Sequence, residues 1–190
     1  YSHIPALDQP ALQARTAACL AELQPLPELQ QRIDLFAQTH FRTAMIGVHL
    51  RRGDFVHRRP DFVANTTQAI AQVDRLVDEM PGAGILLCTD DGAVNPLNGA
   101  ARHEGIRVRF RRRYGKRVVV TCPRSLDRRT PIAIQDALVD LWLLRRTDAV
   151  VGSTYSSFSA LAVFGRDVPW VEVGGARKWY QLLAVCSRWT

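Results

Sequence analysis

The sequence has few cysteines, and their spacing does not match a metal site. The four cysteines among 190 residues are widely separated and form no C-x-x-C pair, so neither a disulfide scaffold nor a zinc site is predicted. No apolar run approaches the roughly 20 residues that a transmembrane helix needs. The first residues also lack the pattern of a signal peptide. Together these absences favour a cytoplasmic protein with no membrane span.

The length and the charge of the chain narrow the classes of protein that remain possible. A chain of 190 residues with 47% apolar and 23% charged residues is predicted to form one globular domain over residues 1–190. Because it begins at Tyr1 rather than at methionine, we expect sequence upstream of it. The net charge of +7, which comes almost entirely from arginine, favours anionic partners. Nucleotide phosphates, nucleic acid and acidic lipid all remain possible partners at this level.

Hydrophobic periodicity predicts helices and strands in alternation. Residues 1–43 are predicted to be a helical lead-in, with helices over 9–23 and 27–39. After the lead-in, the pattern predicts strands at 44–50, 84–88, 106–110, 118–120, 149–151 and 170–173, and helices at 66–80, 93–103, 131–146 and 157–164. Such alternation predicts an α/β fold, with a Rossmann-like parallel sheet covered by helices on both faces. Ligands of these sheets bind beyond the carboxyl ends of the strands.

A charged constellation follows the first predicted strand. Strand alternation places His49 and Arg51 on one face and directs Arg52 to the other. A guanidinium is a rigid fork of donors that stays charged, which suits a diphosphate. Gly53 allows a tight turn, and Asp54 can pair with an arginine and fix its rotamer. The alternative is an Arg–Asp pair that merely solvates the end of a strand.

A second constellation, Thr89-Asp90-Asp91, ends the second predicted strand. The Asp90 carboxylate could hold ribose hydroxyls or orient an arginine. Helix capping is the alternative for an aspartate at this point, and for Asp91 it is the better interpretation.

A third constellation is the turn rich in Gly, Ser and Thr that follows the strand at 149–151. Ser156 and Ser157 begin a predicted helix there, and a helix N-terminus attracts anions through its N–H groups and dipole. No P-loop or dinucleotide-binding glycine motif accompanies them. Simple helix capping is the alternative.

Two further features lie on predicted elements. Asp136 and Asp140 share one helix face among leucines, so at least one is expected to point inward, and Asp140 could accept two donors from a guanine edge. Arginines are dense over 102–117. These could track a nucleic-acid backbone, but the alternation at 107–110 favours a half-exposed strand with a solvated face, which makes nucleic acid the less favoured partner.

Three of these motifs, in this order, resemble the GDP-fucosyltransferase superfamily. That group includes the nodulation-type and core α1,6-fucosyltransferases and the protein O-fucosyltransferases. The motifs read IGVHLRRGD at 46–54, LCTDD at 87–91, and a third that runs from Asp140 through Asp148 to STYSSFS at 153–159. The first is specific, the second is weak alone, and the series spans most of the chain.

The resemblance implies the C-terminal, donor-binding domain of a GT-B glycosyltransferase. Such an enzyme transfers fucose from GDP-fucose, with inversion, to a sugar or peptide hydroxyl, and needs neither a metal nor another cofactor. By position, Arg51 would hold the β-phosphate and stabilise the leaving diphosphate. The resemblance extends the nucleotide-sugar-binding set to His49, Arg51, Arg52, Asp90, Asp140, Ser156, Ser157 and Phe158, with Gly53 and Asp54 supporting the loop.

Two departures from the family pattern qualify the catalytic prediction. The N-terminal acceptor domain is missing from this sequence, because only about 45 residues precede the first motif. An arginine also stands where relatives of the core α1,6 type place an acidic base, so Asp61 or His57 would have to substitute. A non-catalytic GDP-sugar-binding module is therefore the alternative to a transferase.

Overall fold

The computed structural model describes residues 9–52, 65–90, 105–154 and 156–174. Within these ranges five strands form one sheet, in the order β3-β2-β1-β4-β5, and every neighbouring pair is parallel. This order, with a reversal between β1 and β4, is that of Rossmann-like domains. The predicted fold class is therefore confirmed. The strands are β1 Met45–Leu50, β2 Gly84–Thr89, β3 Val118–Val120, β4 Ala149–Ser153 and β5 Trp170–Val173.

Six α-helices accompany the sheet in the described ranges. Side-chain caps explain where two of them begin: Asn65 accepts the N–H of Thr67 at 2.8 Å, and Thr130 accepts that of Ala133 at 3.3 Å. Prolines occupy the first positions of α2 and α5, where the missing N–H costs nothing. The helices are α1 Gln9–Glu22, α2 Pro27–His40, α3 Thr66–Glu79, α4 Ile106–Tyr114, α5 Pro131–Leu144 and α6 Ser157–Val163, with a 3-10 turn at Gly115–Arg117.

Helices cover the sheet on both faces. On one face, side chains of α3 and α4 pack with Val48, Ile85 and Val151. On the other face, side chains of α2, α5 and α6 pack with Met45 and Leu86. Because both faces are buried, the strands are continuously apolar rather than alternating. No helix in the described ranges is long and apolar enough to cross a membrane.

One predicted strand is wrong. Residues 106–110 belong to helix α4, in which Ile106 and Phe110 are buried four residues apart while Val108 is 56% exposed. The basic residues of this segment therefore spread around a helix instead of along one side of a strand. Arg113 makes two hydrogen bonds to Asp74 of α3, at 2.7 and 2.9 Å. Other described elements differ from the prediction only at their ends, and the helix predicted at 93–103 lies outside the described residues.

The helical assignment of α4 can be tested by mutation. Phe110→Ala is expected to lower the free energy of unfolding by about 3–5 kcal/mol, because it leaves a cavity between α4 and the sheet. Val108→Ala is the matched control and should change it by less than about 0.5 kcal/mol. Urea denaturation measures both. In a strand, Val108 and Phe110 would share a face, so equal losses would contradict the helix.

Candidate functional site

The strand order reverses between β1 and β4, and the carboxyl ends of these two strands carry four of the predicted site residues: His49, Arg51, Ser156 and Phe158. His49 and Gly152 are in register across these strands, each one residue before its strand ends. Parallel sheets leave a crevice at this point, because the helices that follow the two strands lie on opposite faces. In this fold α3 follows β1 on one face and α6 follows β4 on the other.

His49 contacts α6 directly. Its Nδ1 and the Ser159 hydroxyl share a hydrogen bond of 2.7 Å, and its ring centroid lies 4.7 Å from that of Phe158, at an interplanar angle of 34°. Gly152 makes this approach possible, since a Cβ there would lie 2.5 Å from the Cβ of Ser159. His49 and Phe158 thus form a fixed aromatic pair beside the sheet edge.

His49 is held in its neutral form. Its pKa is lowered to about 4, chiefly by burial; the charge of Asp90 opposes the shift and the charge of Arg51 adds to it. At neutral pH the ring can therefore contact an aromatic ligand or accept and donate hydrogen bonds without carrying a charge.

The backbone of Arg51 is anchored to the end of β4. Its N–H donates to the hydroxyl of Ser153 at 2.8 Å, and that hydroxyl in turn donates to the carbonyl of His49 at 3.3 Å. The charge of Arg51 contributes to the lowered pKa of His49. Arg51 thus leaves β1 at the switch point of the sheet with its backbone held by β4, and a shared face for its side chain and that of His49 stays a prediction.

The side chain of Arg52 turns to the α3 face of the sheet, opposite to the side chain of His49, as strand alternation predicts. Its Nη1 donates to the hydroxyl of Thr66, at the start of α3, at 3.1 Å. Its backbone N–H donates to Oδ1 of Asp90 at 2.6 Å. Asp90 therefore fixes the chain as it leaves β1, a role in addition to the predicted contact with a ribose, which stays a prediction.

The two serines at the start of α6 differ. Ser156 is buried and caps the helix, accepting the N–H of Ser159 at 3.4 Å. Ser157 is exposed at the first helical position. The capping alternative thus describes Ser156, and a phosphate-binding role for either serine stays a prediction.

Asp140 is largely buried on α5. Its pKa is raised to about 7, chiefly by burial; hydrogen bonding by the Thr121 side chain and the charges of Arg107 and Arg32 oppose the shift, and the charge of Asp136 adds to it. Part of the residue still reaches solvent. A carboxyl group in this position changes its protonation state near neutrality, which is typical of functional sites.

Asp136, one turn earlier, is only 3% exposed and carries two ion pairs. Arg32 of α2 approaches it at 2.7 Å, and Arg124, from the loop between β3 and α5, approaches at 2.8 Å and also donates its backbone N–H at 2.7 Å. Burial alone would raise its pKa, but the bonds from Arg124 and Arg32 outweigh burial and lower the pKa to about 2. Of the two aspartates, Asp136 is held by ion pairs within the fold, and a ligand-binding role for Asp140 stays a prediction.

Several predicted residues lie outside the described ranges: Gly53, Asp54, His57, Asp61 and Asp91. Their predicted roles are untested. Conversely, the sequence patterns gave no weight to Thr66, Thr121 or Arg124, because these depend on contacts between distant elements. Ser153 and Ser159 could have been found, since both belong to the third motif. No group of three or more metal-binding side chains is found among the described residues.

The raised pKa of Asp140 has a consequence for stability. The folded protein binds a proton that the unfolded chain releases near pH 4, so stability falls as the pH rises from about 4 through 7. We expect Asp140→Asn to raise the free energy of unfolding, and to raise it more at pH 8 than at pH 5 by about 1–3 kcal/mol. Denaturant titrations at both pH values measure this difference.

Asp78→Asn, at an exposed position of α3, is the control and should show no such dependence. A gain for Asp140→Asn that is equal at the two pH values would contradict a carboxyl group that titrates between them.

Comparison with known proteins finds structural relatives only. No protein-family model and no curated protein sequence matches the chain. Among solved structures, it is similar to the apo form of POFUT1, with a TM-score of 0.58 and 15% identity, over 84% of this chain and 50% of that protein. POFUT1 in complex with GDP-fucose gives a TM-score of 0.55 at 16% identity, over 85% of this chain and 50% of that one.

A second relative carries the same fold. The NodZ α-1,6-fucosyltransferase soaked with GDP-fucose matches with a TM-score of 0.51 and 21% identity, over 75% of this chain and 43% of that protein. The chain thus spans half or less of the length of these relatives. At such identities the likeness establishes the fold: the chain has the Rossmann-like parallel fold found in POFUT1 and in the NodZ fucosyltransferase.

Proposed function

We propose that this chain binds GDP-fucose and forms the donor half of a GT-B fucosyltransferase. The observation that carries the proposal is the position of Arg51, whose backbone is anchored at the switch point of a Rossmann-like sheet, two residues after His49 of the His49–Phe158 pair. A cation offsets the negative charge of a diphosphate, and aromatic rings offer a flat surface on which a nucleotide base can pack. The relatives solved with GDP-fucose, POFUT1 and NodZ, support the choice of donor.

The nucleotide base would lie on the α6 side of the sheet edge. Neutral His49 and Phe158 offer aromatic surface, and Asp140 offers two acceptor oxygens. Guanine is the base that presents two adjacent N–H donors, at N1 and N2, so an ionised Asp140 is complementary to it. Adenine and uracil lack this pair of donors.

The diphosphate would lie across Arg51, with Ser156 and Ser157 as further partners at the start of α6. When fucose leaves, the bond between its anomeric carbon and the β-phosphate oxygen breaks, and GDP takes the electron pair. Arg51 would neutralise that charge, and the bond from its backbone N–H to Ser153 keeps the residue at the end of β1 for this role. A protein cation in this role makes a metal ion unnecessary, in accordance with the predicted absence of metals and cofactors.

Transfer completes the proposed reaction. The oxygen of a sugar or peptide hydroxyl would bond to the anomeric carbon from the side opposite GDP, which inverts the configuration, and its proton would pass to a base. Asp61 is the candidate base, with catalytic Arg51 as its counterpart at the leaving group. The acceptor itself would be bound largely by a separate acceptor domain.

Donor selectivity is the first test. Calorimetry with GDP, ADP and UDP is expected to show the lowest Kd for GDP, and Arg51→Ala is expected to raise that Kd by about tenfold or more, through loss of a charge-assisted contact. Arg75→Ala, at an exposed position of α3, is the matched control. If GDP has no advantage, or if Arg51→Ala binds it normally, the proposed site is wrong.

The non-catalytic alternative needs a separate assay. Fucose transfer to a panel of sugar and peptide acceptors, or slow hydrolysis of GDP-fucose by the chain alone, would support the transferase. Binding of GDP-fucose without either reaction would favour the binding module.

The pH dependence of GDP binding is the second test. Only the ionised form of Asp140 accepts the guanine N–H groups, so the Kd for GDP should rise by about tenfold per pH unit as the pH falls below about 7. ADP, titrated in parallel, controls for protonation of the phosphates. Asp140→Asn should bind GDP weakly and without this dependence. A wild-type Kd that varies with pH for GDP no more than for ADP would contradict the role of Asp140.

A further inference from the structure

One short segment accounts for the whole net charge of the chain. Residues 106–117, which form α4 and the turn after it, contain seven basic residues and no acidic one. The whole chain has 25 basic and 18 acidic residues, so the rest of it carries 18 of each sign. Such a concentration of one sign on one element creates a positive potential that a balanced surface lacks. The proposed nucleotide site uses none of these seven residues.

Helix α4 exposes basic side chains because its apolar side is covered by the sheet. Ile106 and Phe110 are buried in the core on that side. Residues three and four apart share one side of a helix, so Val108, Arg111 and Arg112 lie together on the side that faces away from the core. All three are exposed. The outer side of α4 is therefore a convex basic strip around one small apolar residue.

Further cations gather at the amino edge of the sheet, where α4 ends. The turn at 115–117 leads into β3 at this edge. There Arg117 donates from Nε to the carbonyl of Ala83 at 2.9 Å, and Nη1 of Arg42 donates to the carbonyl of Gly82 at 3.4 Å. Cations that are 75 positions apart in the chain thus meet at the turn that precedes β2. Residues 106–117 together with Arg42 are called the basic surface below.

Carboxylates offset only part of the charge of the basic surface. Asp74 of α3 pairs with Arg113 at 2.7 Å. Asp78 and Glu79 are exposed near the end of the same helix, and in the described ranges neither forms an ion pair with the basic surface. Even with these three carboxylates counted, cations remain in excess. An anionic partner is therefore complementary to this face of the domain.

The shape of the basic surface favours a flat, diffuse anion over a nucleic acid strand. Proteins that bind single strands typically combine a groove with exposed aromatic side chains on which the bases stack. The aromatic residues of α4 do not provide such a platform, because Phe110 is buried and Tyr114 turns its hydroxyl to the carbonyl of Ile70 at 3.0 Å. A bilayer with anionic headgroups requires only a cluster of lysines and arginines on a helix.

We propose that the basic surface binds anionic lipid headgroups and holds the protein against a membrane surface. Contact would be peripheral, because the apolar side of α4 is already packed on the sheet. The proposal goes beyond the proposed function and does not depend on it. Arg42 and the turn at 115–117 lie at the amino edge of the sheet, whereas the proposed nucleotide site lies at the carboxyl edge. The six residues of β1 separate these edges by roughly 17 Å, so both partners can bind together.

Sedimentation with lipid vesicles tests the proposal. One set of vesicles is phosphatidylcholine alone, and in the other about a third of the lipid is phosphatidylserine. The protein is expected to bind only the second set and to dissociate as salt is added, because salt screens exposed charges. Arg111→Gln combined with Lys116→Gln should lower the partition coefficient by about 25-fold, or about fivefold for each cation removed. Both side chains are exposed, so the fold should not be disturbed.

Arg15→Gln combined with Arg128→Gln is the matched control. It removes the same net charge at exposed positions of α1 and of the loop after β3, and it should bind the acidic vesicles as the wild type does. Equal losses in the two double variants, or no loss in the first, would overturn the assignment.

Two further titrations separate this surface from other partners. Duplex DNA and single-stranded RNA are measured at the same salt concentration. Tighter binding of either one than of the acidic vesicles, lost in the Arg111/Lys116 variant, would assign the surface to nucleic acid instead. The same variant should keep the wild-type Kd for GDP. A raised Kd would contradict the separation of the two sites, whereas failure of vesicle binding alone leaves the proposed function intact.

Discussion

Gly152 of β4 lies beside His49 of β1, and the close packing at this point controls the geometry of the α6 side of the site. Any side chain at Gly152 would collide with Ser159, so α6 sits against the sheet only because a glycine occupies this position. Ser159 then meets the imidazole of His49, and Phe158 meets its ring face. Gly47 has a similar role lower on β1, where a Cβ would lie 2.6 Å from the hydroxyl of Thr147. The two glycines thus allow the close contacts that position α6, the His49–Phe158 pair and the turn at Thr147.

The anchoring around β1 is polar on both sides. On the α6 side, the Ser153 hydroxyl holds the backbone of Arg51, and on the α3 side, Asp90 and Thr66 hold Arg52. Each of these partners comes from a different element. The chain leaving β1 is therefore fixed from two directions before any ligand binds, which is the preorganisation that an electrostatic site requires.

Most of the fold could be predicted from the sequence because the strands are short, apolar and bounded by glycine, proline or aspartate. The sites after β1 and β4 could be predicted from the same pattern, since an open parallel sheet collects its ligands at the strand ends. The segment that became α4 was mistaken for a strand because Arg107-Val108-Arg109-Phe110 alternates over four residues. The longer spacing from Ile106 through Phe110 to Tyr114 is helical and decides the structure.

The residues around Asp140 could not be predicted from the sequence. Thr121 follows β3, and Arg107 lies on α4, on the opposite face of the sheet from α5, yet both contribute to the pKa of Asp140. No local pattern in the sequence links either residue to Asp140. The same holds for Arg124 and Arg32, which meet on Asp136 although Arg32 is 104 positions away from it in the chain. The local sequence pattern identifies the ends of the strands, whereas contacts between distant elements decide which polar groups lie close together.

The ion pairs of Asp136 also link helix α2 to the stability of the rest of the domain. Arg32 ties α2 to α5, while Arg124 ties the loop after β3 to the same carboxylate. Removing α2 would leave a nearly buried carboxylate with one partner fewer, and the loss would reach the loop that follows Thr121. The helical lead-in therefore belongs to the same cooperative unit as the sheet, at least from Pro27 onward. A shortened domain that starts at β1 would lack the helix that packs against α5 and pairs with Asp136.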